Sequence, residues 1–431
     1  MEFKAIQPVS RPIDAVVEVP GSKSLTNRAL ILAALAQGRS TLSGVLFSED
    51  TELMMAAMRT LGIQVDADAQ ACTVGIEGCS GQLPATDADL FCGNSGTTIR
   101  FCTALCALGR GAYRLDGIER MRSRPIGPLV EALRGLGVSI GYESVDGFPP
   151  VIVRGGGLRG GGVAFASAPS SQFISALLMV APYARGDIFL DLREMVSVPY
   201  VTMTLQLMEG FGVAAVAKHE GRNAKVIIPA PQTYAGQAWQ IEPDASNASY
   251  FLAAAAVTGG SVTVRHLGSA STQGDVGFVD VLRRMGCHVE RSPDTLTVRG
   301  PSGGERLAAV DVDLGDMPDV AQTLAVAALF ADGTTHIRNV GNLRIKETDR
   351  LTALATELMR FGAEVEVGTD SLSVTPPNRP LPARVHTYND HRMAMSFAVA
   401  GLMIDGVEIL DPGCVAKTFP DFFERFDRLR G

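Results

Sequence analysis

The sequence lacks several of the marks that would place it quickly. No CxxC pair occurs among its cysteines, and no basic run is interleaved with aromatics. No apolar run approaches the roughly 18 residues that a membrane span needs. The opening residues MEFKAIQPVS lack the apolar core of a signal peptide. The seven cysteines, at 72, 79, 92, 102, 106, 287 and 414, form an odd, scattered set that suits a reducing cytosol. Cys102 and Cys106 lie one helical turn apart, but no histidine is near them in sequence, so they read as small core residues rather than metal ligands. A net charge of -8 argues against a general nucleic-acid surface, so any phosphate must be met by local cations. The nucleotide P-loop is also missing, because no Gly stands directly before Lys23 in GSKS and the upstream glycine is absent. These absences lead us to expect a soluble, free-standing cytoplasmic protein with no nucleic-acid or membrane partner.

What is present is a large apolar content, 46% of 431 residues, enough for two or three domains. It is organised by glycines. Apolar helix-like stretches end near Gly38, Gly111, Gly186, Gly260, Gly333 and Gly406, at intervals of 73 to 75 residues. A second set, Gly62, Gly137, Gly212, Gly286 and Gly362, recurs at intervals of 74 to 76. Two independent marks with one period indicate an internal repeat. Each unit reads as polar turn, helix, Gly, strand, connection, second helix, Gly, strand, which predicts an α/β architecture. The sixth unit lacks its final strand, and Ala15 to Val19, AVVEV, is the expected donor. Six units exceed one compact core, so two domains of three units are expected, residues 21–242 and residues 1–20 plus 243–431.

Equivalent first-helix starts read GSKSLTNR (21–28), GNSGTTIR (93–100), PSSQFISA (169–176), PDASNASY (243–250), MPDVAQTL (317–324) and NDHRMAMS (389–396). Ser, Asn and Asp are preferred N-caps, which explains much of this pattern. It does not explain Lys23, Arg28, Arg100 and Arg392, because the helix dipole disfavours cations there unless an anion binds. For Lys23, Ser24 and Arg28 an anion cradle and a plain N-cap with solvated charges both remain open. Further cations stand in connecting segments: Arg120, Arg122, Arg124, Lys346, Arg350 and Lys417. Lys346 and Arg350 are spaced i, i+4, which on a helix would put them on one face, either for ligand binding or for salt bridges with Glu347 and Asp349. Asp319, after Met317 and Pro318, reads first as an N-cap. His391 could be a base, a cap or a packed residue.

The motifs PGSKSLTNRA, GNSGTTIRF, RPIGPL, SSQF, VSVPY, DASNASYFLAAAA, GDMPD, IKETDRL, YNDHRMAMSFAV and DPGCVAKTFPDFFE run in order from about Val19 to Phe423. In them the chain resembles the 5-enolpyruvylshikimate-3-phosphate synthases, enolpyruvyl transferases of the shikimate pathway to chorismate and the aromatic amino acids. The resemblance implies an inside-out α/β barrel fold, two domains of three βαβαββ-type repeats about a pseudo-threefold axis, with the active site in the interdomain cleft. It also implies transfer of the enolpyruvyl group of phosphoenolpyruvate to the 5-hydroxyl of shikimate 3-phosphate, with release of phosphate and no metal or organic cofactor. The enzyme is expected to act as a monomer.

By resemblance, Lys23, Ser24, Arg28, Ser170, Ser171, Gln172, Ser197, Asp319, Asn342 and Lys346 would hold shikimate 3-phosphate. Phosphoenolpyruvate would meet Lys23, Asn94, Gly96, Arg124, Gln172, Arg350, Arg392 and Lys417. Asp319 is similar to the family's general base and Glu347 to its proton donor, with Lys23 assisting both. Phe101 departs from the family's usual Pro after Arg100, which bears on how the helix carrying Gly96 is set. Gly96, having no side chain, is expected to leave room for the inhibitor glyphosate. Two other readings compete with this one. A UDP-N-acetylglucosamine enolpyruvyl transferase would usually carry a Cys shortly before the Arg124–Pro125 pair, and none occurs between 106 and 287. A non-catalytic phosphosugar-binding protein would have no need of carboxylates beside an anionic ligand.

Overall fold

A computed structural model describes residues 2–166 and 168–430; Met1 and Gly431, the outer limits of the expected C-terminal domain, lie outside the described residues. Among the described residues the α-helices come in six pairs. They are Lys23–Leu35 and Glu49–Thr60 (α1, α2), Gly96–Ala107 and Gly127–Gly135 (α3, α4), and Ser171–Val180 and Val198–Gly210 (α5, α6). Then follow Ala245–Thr258 and Phe278–Arg284 (α7, α8), Ala321–Ala327 and Arg350–Arg360 (α9, α10), and His391–Gly401 and Phe422–Asp427 (α11, α12). The odd-numbered helices are buried on nearly every side, polar residues such as Asn27, Arg28 and Arg100 included. The even-numbered ones bury one face and expose the other, α10 most clearly.

Each pair belongs to one small sheet, five of four strands and one of three among the described residues. In the sheet around α3, strand Asp87–Phe91 runs parallel to Ala112–Asp116, which pairs antiparallel with Val151–Arg154, which in turn pairs antiparallel with Ser139–Tyr142. The same βαβαββ order recurs around α5 and α9. A four-stranded repeat therefore holds two strands more than the two that the glycine spacing suggested.

The two glycine sets mark different things. Gly62, Gly137, Gly212, Gly286 and Gly362 all have φ between 82° and 98° and directly follow the C-cap residue of an even-numbered helix. They are left-handed C-terminal caps, where a side chain would be strained. The other set does not end helices. Helix α1 stops at Leu35, and Gly38 lies inside strand Gln37–Ser43. Gly111 and Gly260 stand just ahead of their strands, and a Cβ at Gly111 would lie 1.5 Å from the Thr86 carbonyl oxygen. At Gly111 and Gly260 the parallel strand pair converges too closely for a side chain, whereas a Cβ at Gly38 would meet nothing within 4 Å.

The chain divides into two compact units, Gly21–Ile241 and Met1–Pro20 with Glu242–Gly431, each with its own apolar core. The expectation that Ala15 to Val19 completes the sixth repeat is incorrect. Strand Phe3–Ile6 does so, pairing antiparallel with Val407–Leu410. Strand Asp14–Val17 instead opens the fourth repeat, parallel to Ser261–Arg265. The Gly21–Ile241 unit is thus inserted between the first strand of the fourth repeat and its helix α7. It closes on itself through strand Ala238–Gln240, which lies parallel to Gln37–Ser43 as the first strand of its own first repeat.

Candidate active site

In the Gly21–Ile241 unit the starts of α1, α3 and α5 carry the residues singled out above. Ser22, Ser95 and Ser170 are their N-caps, each accepting from a backbone N–H of the first turn. Lys23 opens α1, and its Nζ lies 3.1 Å from Asp50 Oδ2, with only 2% of the Asp50 side chain exposed. The solvated-cap alternative for Lys23 therefore fails. Arg28 is 1% exposed. It donates from Nε to Thr204 Oγ1 (2.7 Å), from Nη2 to Ser175 Oγ (2.9 Å) and from Nη1 to the Ser24 carbonyl (2.9 Å). Burial pushes its guanidinium down to about 10. Its cation also faces the Phe101 ring at 5.4 Å, so Phe101, fully buried, lies within an unbroken α3 and braces Arg28.

Two further guanidinium groups converge on Gly96, the first residue of α3. Arg124 Nη1 donates to the Asn94 carbonyl (2.8 Å) and to Asn94 Oδ1 (3.1 Å). Arg100 donates to Gln172 Oε1 and, at 2.9 Å, to the Pro125 carbonyl, with its cation 4.9 Å from the Phe173 ring centre. A Cβ on Gly96 would sit 2.7 Å from Arg124 Nη2 and 2.9 Å from Arg100 Nη1. Backbone N–H groups at a helix start and two buried cations are the donors that an anion site would need. Arg122 does not join it, since it pairs with Asp116. Ser197 caps α6 in the left-handed region (φ 57°, ψ 51°), a conformation costing a non-glycine residue about 1–3 kcal/mol.

In the other unit Asp319 is the centre. It lies in the 3-10 turn Pro318–Val320 and, contrary to the N-cap reading, its carboxylate meets cations. Oδ1 is 3.4 Å from Lys346 Nζ and 3.2 Å from Arg350 Nη1, and Oδ2 is 3.0 Å from Arg392 Nη2. Lys346 and Arg350 do not share a helical face. Lys346 follows the 3-10 turn Gly341–Ile345, whereas Arg350 opens α10 after its N-cap Asp349. They converge because the intervening turn folds back, and Asp349 pairs with Arg344.

Arg350, 1% exposed, also bonds Glu347 Oε2 (3.0 Å) and Asp390 Oδ2 (2.7 Å). Burial works against its charge, yet the carboxylates of Asp390, Glu347 and Asp319 outweigh it and hold its pKa above the ordinary arginine value. For Lys346 burial wins, and its pKa is lowered despite Asp319. Arg392 Nη1 donates to the Tyr250 hydroxyl at 3.2 Å. Asp390 is the N-cap of α11, accepting from Arg392 N at 2.9 Å. His391 is fully buried beside it, which favours the packed reading over the cap. Asn342 lies in the turn before Lys346, and Lys417, 4% exposed, ends the 3-10 helix Pro412–Lys417.

Sequence reasoning passed over Asp50, Tyr250, Asp275 and Asp390. Asp390 could have been found, since it occupies the N-cap position of Ser22, Ser95, Ser170 and Asp244 in the repeat. Nothing in the repeat marks Asp275. It sits in the 3-10 turn before α8 and accepts from Ser246 Oγ. Burial first, and then the charge of Asp319, push its carboxyl up to about 7. Cys102 and Cys106 are buried core residues, with Cys102 Sγ 3.7 Å from Met54 Sδ, and burial raises both thiols. Among the described residues no group of His, Cys, Asp and Glu is placed to hold a metal ion, and no helix is long and apolar enough to cross a membrane.

The fold is that of the enolpyruvyl transferases: the crystal structure of NikO from Streptomyces tendae aligns over 99% of this chain and 97% of its own with a TM-score of 0.79, at 18% identity. A structure of EPSP synthase from Acinetobacter baumannii aligns over 99% of this chain and 97% of its own, with a TM-score of 0.81 and 26% identity. The family model for EPSP synthase (3-phosphoshikimate 1-carboxyvinyltransferase) matches residues 8–426. The 3-phosphoshikimate 1-carboxyvinyltransferase of Nostoc punctiforme is 48% identical over 430 residues, covering 100% of this chain and 99% of that relative. The chloroplastic enzyme of Brassica napus is 47% identical over 98% of this chain and 84% of its own. The chain belongs to the EPSP synthase family.

Proposed function

We propose that the chain transfers the enolpyruvyl group of phosphoenolpyruvate to the 5-hydroxyl of shikimate 3-phosphate and releases phosphate, and that both sets of residues described above serve this one reaction. The observation that carries the reading is Asp319, a carboxylate set among Lys346, Arg350 and Arg392. A protein that only bound phosphosugars would gain nothing from placing a carboxylate there, whereas a base that removes a hydroxyl proton beside anionic substrates needs such cations.

In this reading Ser24, Ser170, Ser171, Gln172, Ser197, Asn342 and Lys346 hold shikimate 3-phosphate, and Arg28 acts from behind by fixing the Ser24 carbonyl. Asn94, Gly96, Arg124, Gln172, Arg350, Arg392 and Lys417 hold phosphoenolpyruvate, and Lys23 touches both substrates. Asp319 takes the proton of the attacking hydroxyl as its oxygen bonds to the central carbon of phosphoenolpyruvate. Glu347 delivers a proton to the methylene carbon. The resulting tetrahedral phospho-ketal then returns a proton from its new methyl group to the Glu347 carboxylate and expels phosphate, restoring the double bond. Cations positioned before the reaction stabilise the charge that develops, which is usually the largest catalytic contribution.

We also take the enzyme to act in the cytoplasm as a monomer; light scattering of the purified protein tests the monomer, and fractionation of cells tests the location. The reaction is tested by following phosphate release. Release that requires both phosphoenolpyruvate and shikimate 3-phosphate supports the reading. Release with UDP-N-acetylglucosamine instead would overturn it in favour of the related transferase, and binding of both substrates without release would favour a binding protein.

A further inference from the structure

The turn Thr387–Asp390 is built against local preference. Asp390 N donates to the Thr387 carbonyl at 2.9 Å, and the two central residues, Tyr388 (φ 55°) and Asn389 (φ 52°), both lie in the left-handed region. This is a type I′ turn, which favours Asn-Gly at its centre; Asn tolerates the conformation, but a bulky tyrosine does not. Something outside the turn must hold it.

That support is Glu357, on α10, whose side chain is fully buried. Its Oε1 accepts from the Tyr388 hydroxyl at 2.7 Å and its Oε2 from His386 N at 3.1 Å, so it holds the turn at its entry and at its first central residue. Burial and the Glu357 charge push the Tyr388 hydroxyl up to about 12, so it remains a donor throughout the neutral range. The same helix begins with Arg350, which bonds Asp390 at 2.7 Å through Nε. Helix α10 therefore contacts this segment twice, two turns apart: Glu357 fixes the turn and Arg350 uses the aspartate that the turn presents.

We propose that Glu357 is a positioning residue for the reaction, which holds the strained Tyr388–Asn389 turn so that Asp390 orients Arg350. It rests on the reading of Arg350 as a phosphoenolpyruvate ligand. A buried glutamate that merely neutralised Arg360, 3.0 Å away and 45% exposed, would not need the bonds from His386 N and the Tyr388 hydroxyl.

The test uses the full-length enzyme and Tyr388→Phe, which removes one hydroxyl from a residue that is 40% exposed. Amide exchange across 387–392 is expected to quicken, and KM for phosphoenolpyruvate to rise about tenfold while that for shikimate 3-phosphate stays within about twofold. The double variant Tyr388→Asn, Asn389→Gly supplies the dipeptide that favours this turn unaided, and is expected to restore both exchange protection and KM. Unchanged exchange or KM in Tyr388→Phe, or no recovery in the double variant, overturns the proposal. A wild type that turns over neither substrate while the exchange pattern holds would instead refute the functional reading.

Discussion

Replacing Gly96 with alanine would put a methyl group into the corner where two guanidinium groups meet. The new Cβ would lie 2.7 Å from Arg124 Nη2 and 2.9 Å from Arg100 Nη1, where ordinary contact begins near 3.4 Å. Both groups are ends of flexible side chains, so they would retreat by about half an ångström rather than clash. Arg124 cannot retreat freely, because Nη1 is bonded to Asn94 twice, and Arg100 is tied to Gln172 and the Pro125 carbonyl. The expected loss is about one charge-assisted hydrogen bond to phosphoenolpyruvate, roughly 1.5–3 kcal/mol. At about 1.4 kcal/mol per tenfold this raises KM for phosphoenolpyruvate by roughly 10- to 100-fold. The effect on kcat should be smaller, and folding should not suffer, since alanine favours a helix over glycine by up to about 1 kcal/mol. Glyphosate should inhibit the wild type, and the variant should need much more of it. Steady-state kinetics with phosphoenolpyruvate varied, with and without glyphosate, check this; an unchanged KM and unchanged inhibition would refute the reasoning.

Arg124→Ala should raise KM for phosphoenolpyruvate far more than it lowers kcat, read from initial rates, because it removes a ligand and not a proton carrier. Asp275→Asn should change how stability depends on pH. The Asp275 carboxyl lies near 7 in the folded protein against an ordinary 3.8, so its contribution is fully present below 3.8 and is lost as pH rises through about 7. The variant, which does not titrate, should match the wild type near pH 4 and exceed it near pH 8, with about 4 kcal/mol as the ceiling at about 1.4 kcal/mol per pH unit. Urea unfolding at both pH values measures it, and parallel behaviour would contradict the cause given.

The repeat was legible because its marks are obligatory. A helix ending in a left-handed residue favours glycine, so the second glycine set shows one backbone conformation five times over. The closing strands were not legible in the same way. Phe3–Ile6 and Asp14–Val17 are both short and alternate in burial, and only pairing partners hundreds of residues away distinguish them. The charged residues divided along similar lines. Lys23 and Gly96 stand at helix starts that the repeat reveals, whereas the meeting of Lys346 with Arg350 on Asp319 depends on a fold-back between a 3-10 turn and α10. An i, i+4 spacing predicted proximity for the wrong reason. Asp390 was hidden by its second role, since a good N-cap explains itself without reference to Arg350.

The most direct measurement is a single turnover of phosphoenolpyruvate and shikimate 3-phosphate by the wild type, Lys23→Met and Asp319→Asn, one change in each compact unit. The account predicts that wild type releases one phosphate per product formed, and that each variant, still folded, is slowed at least about 100-fold. A folded variant of either kind that turns over at the wild-type rate would contradict it.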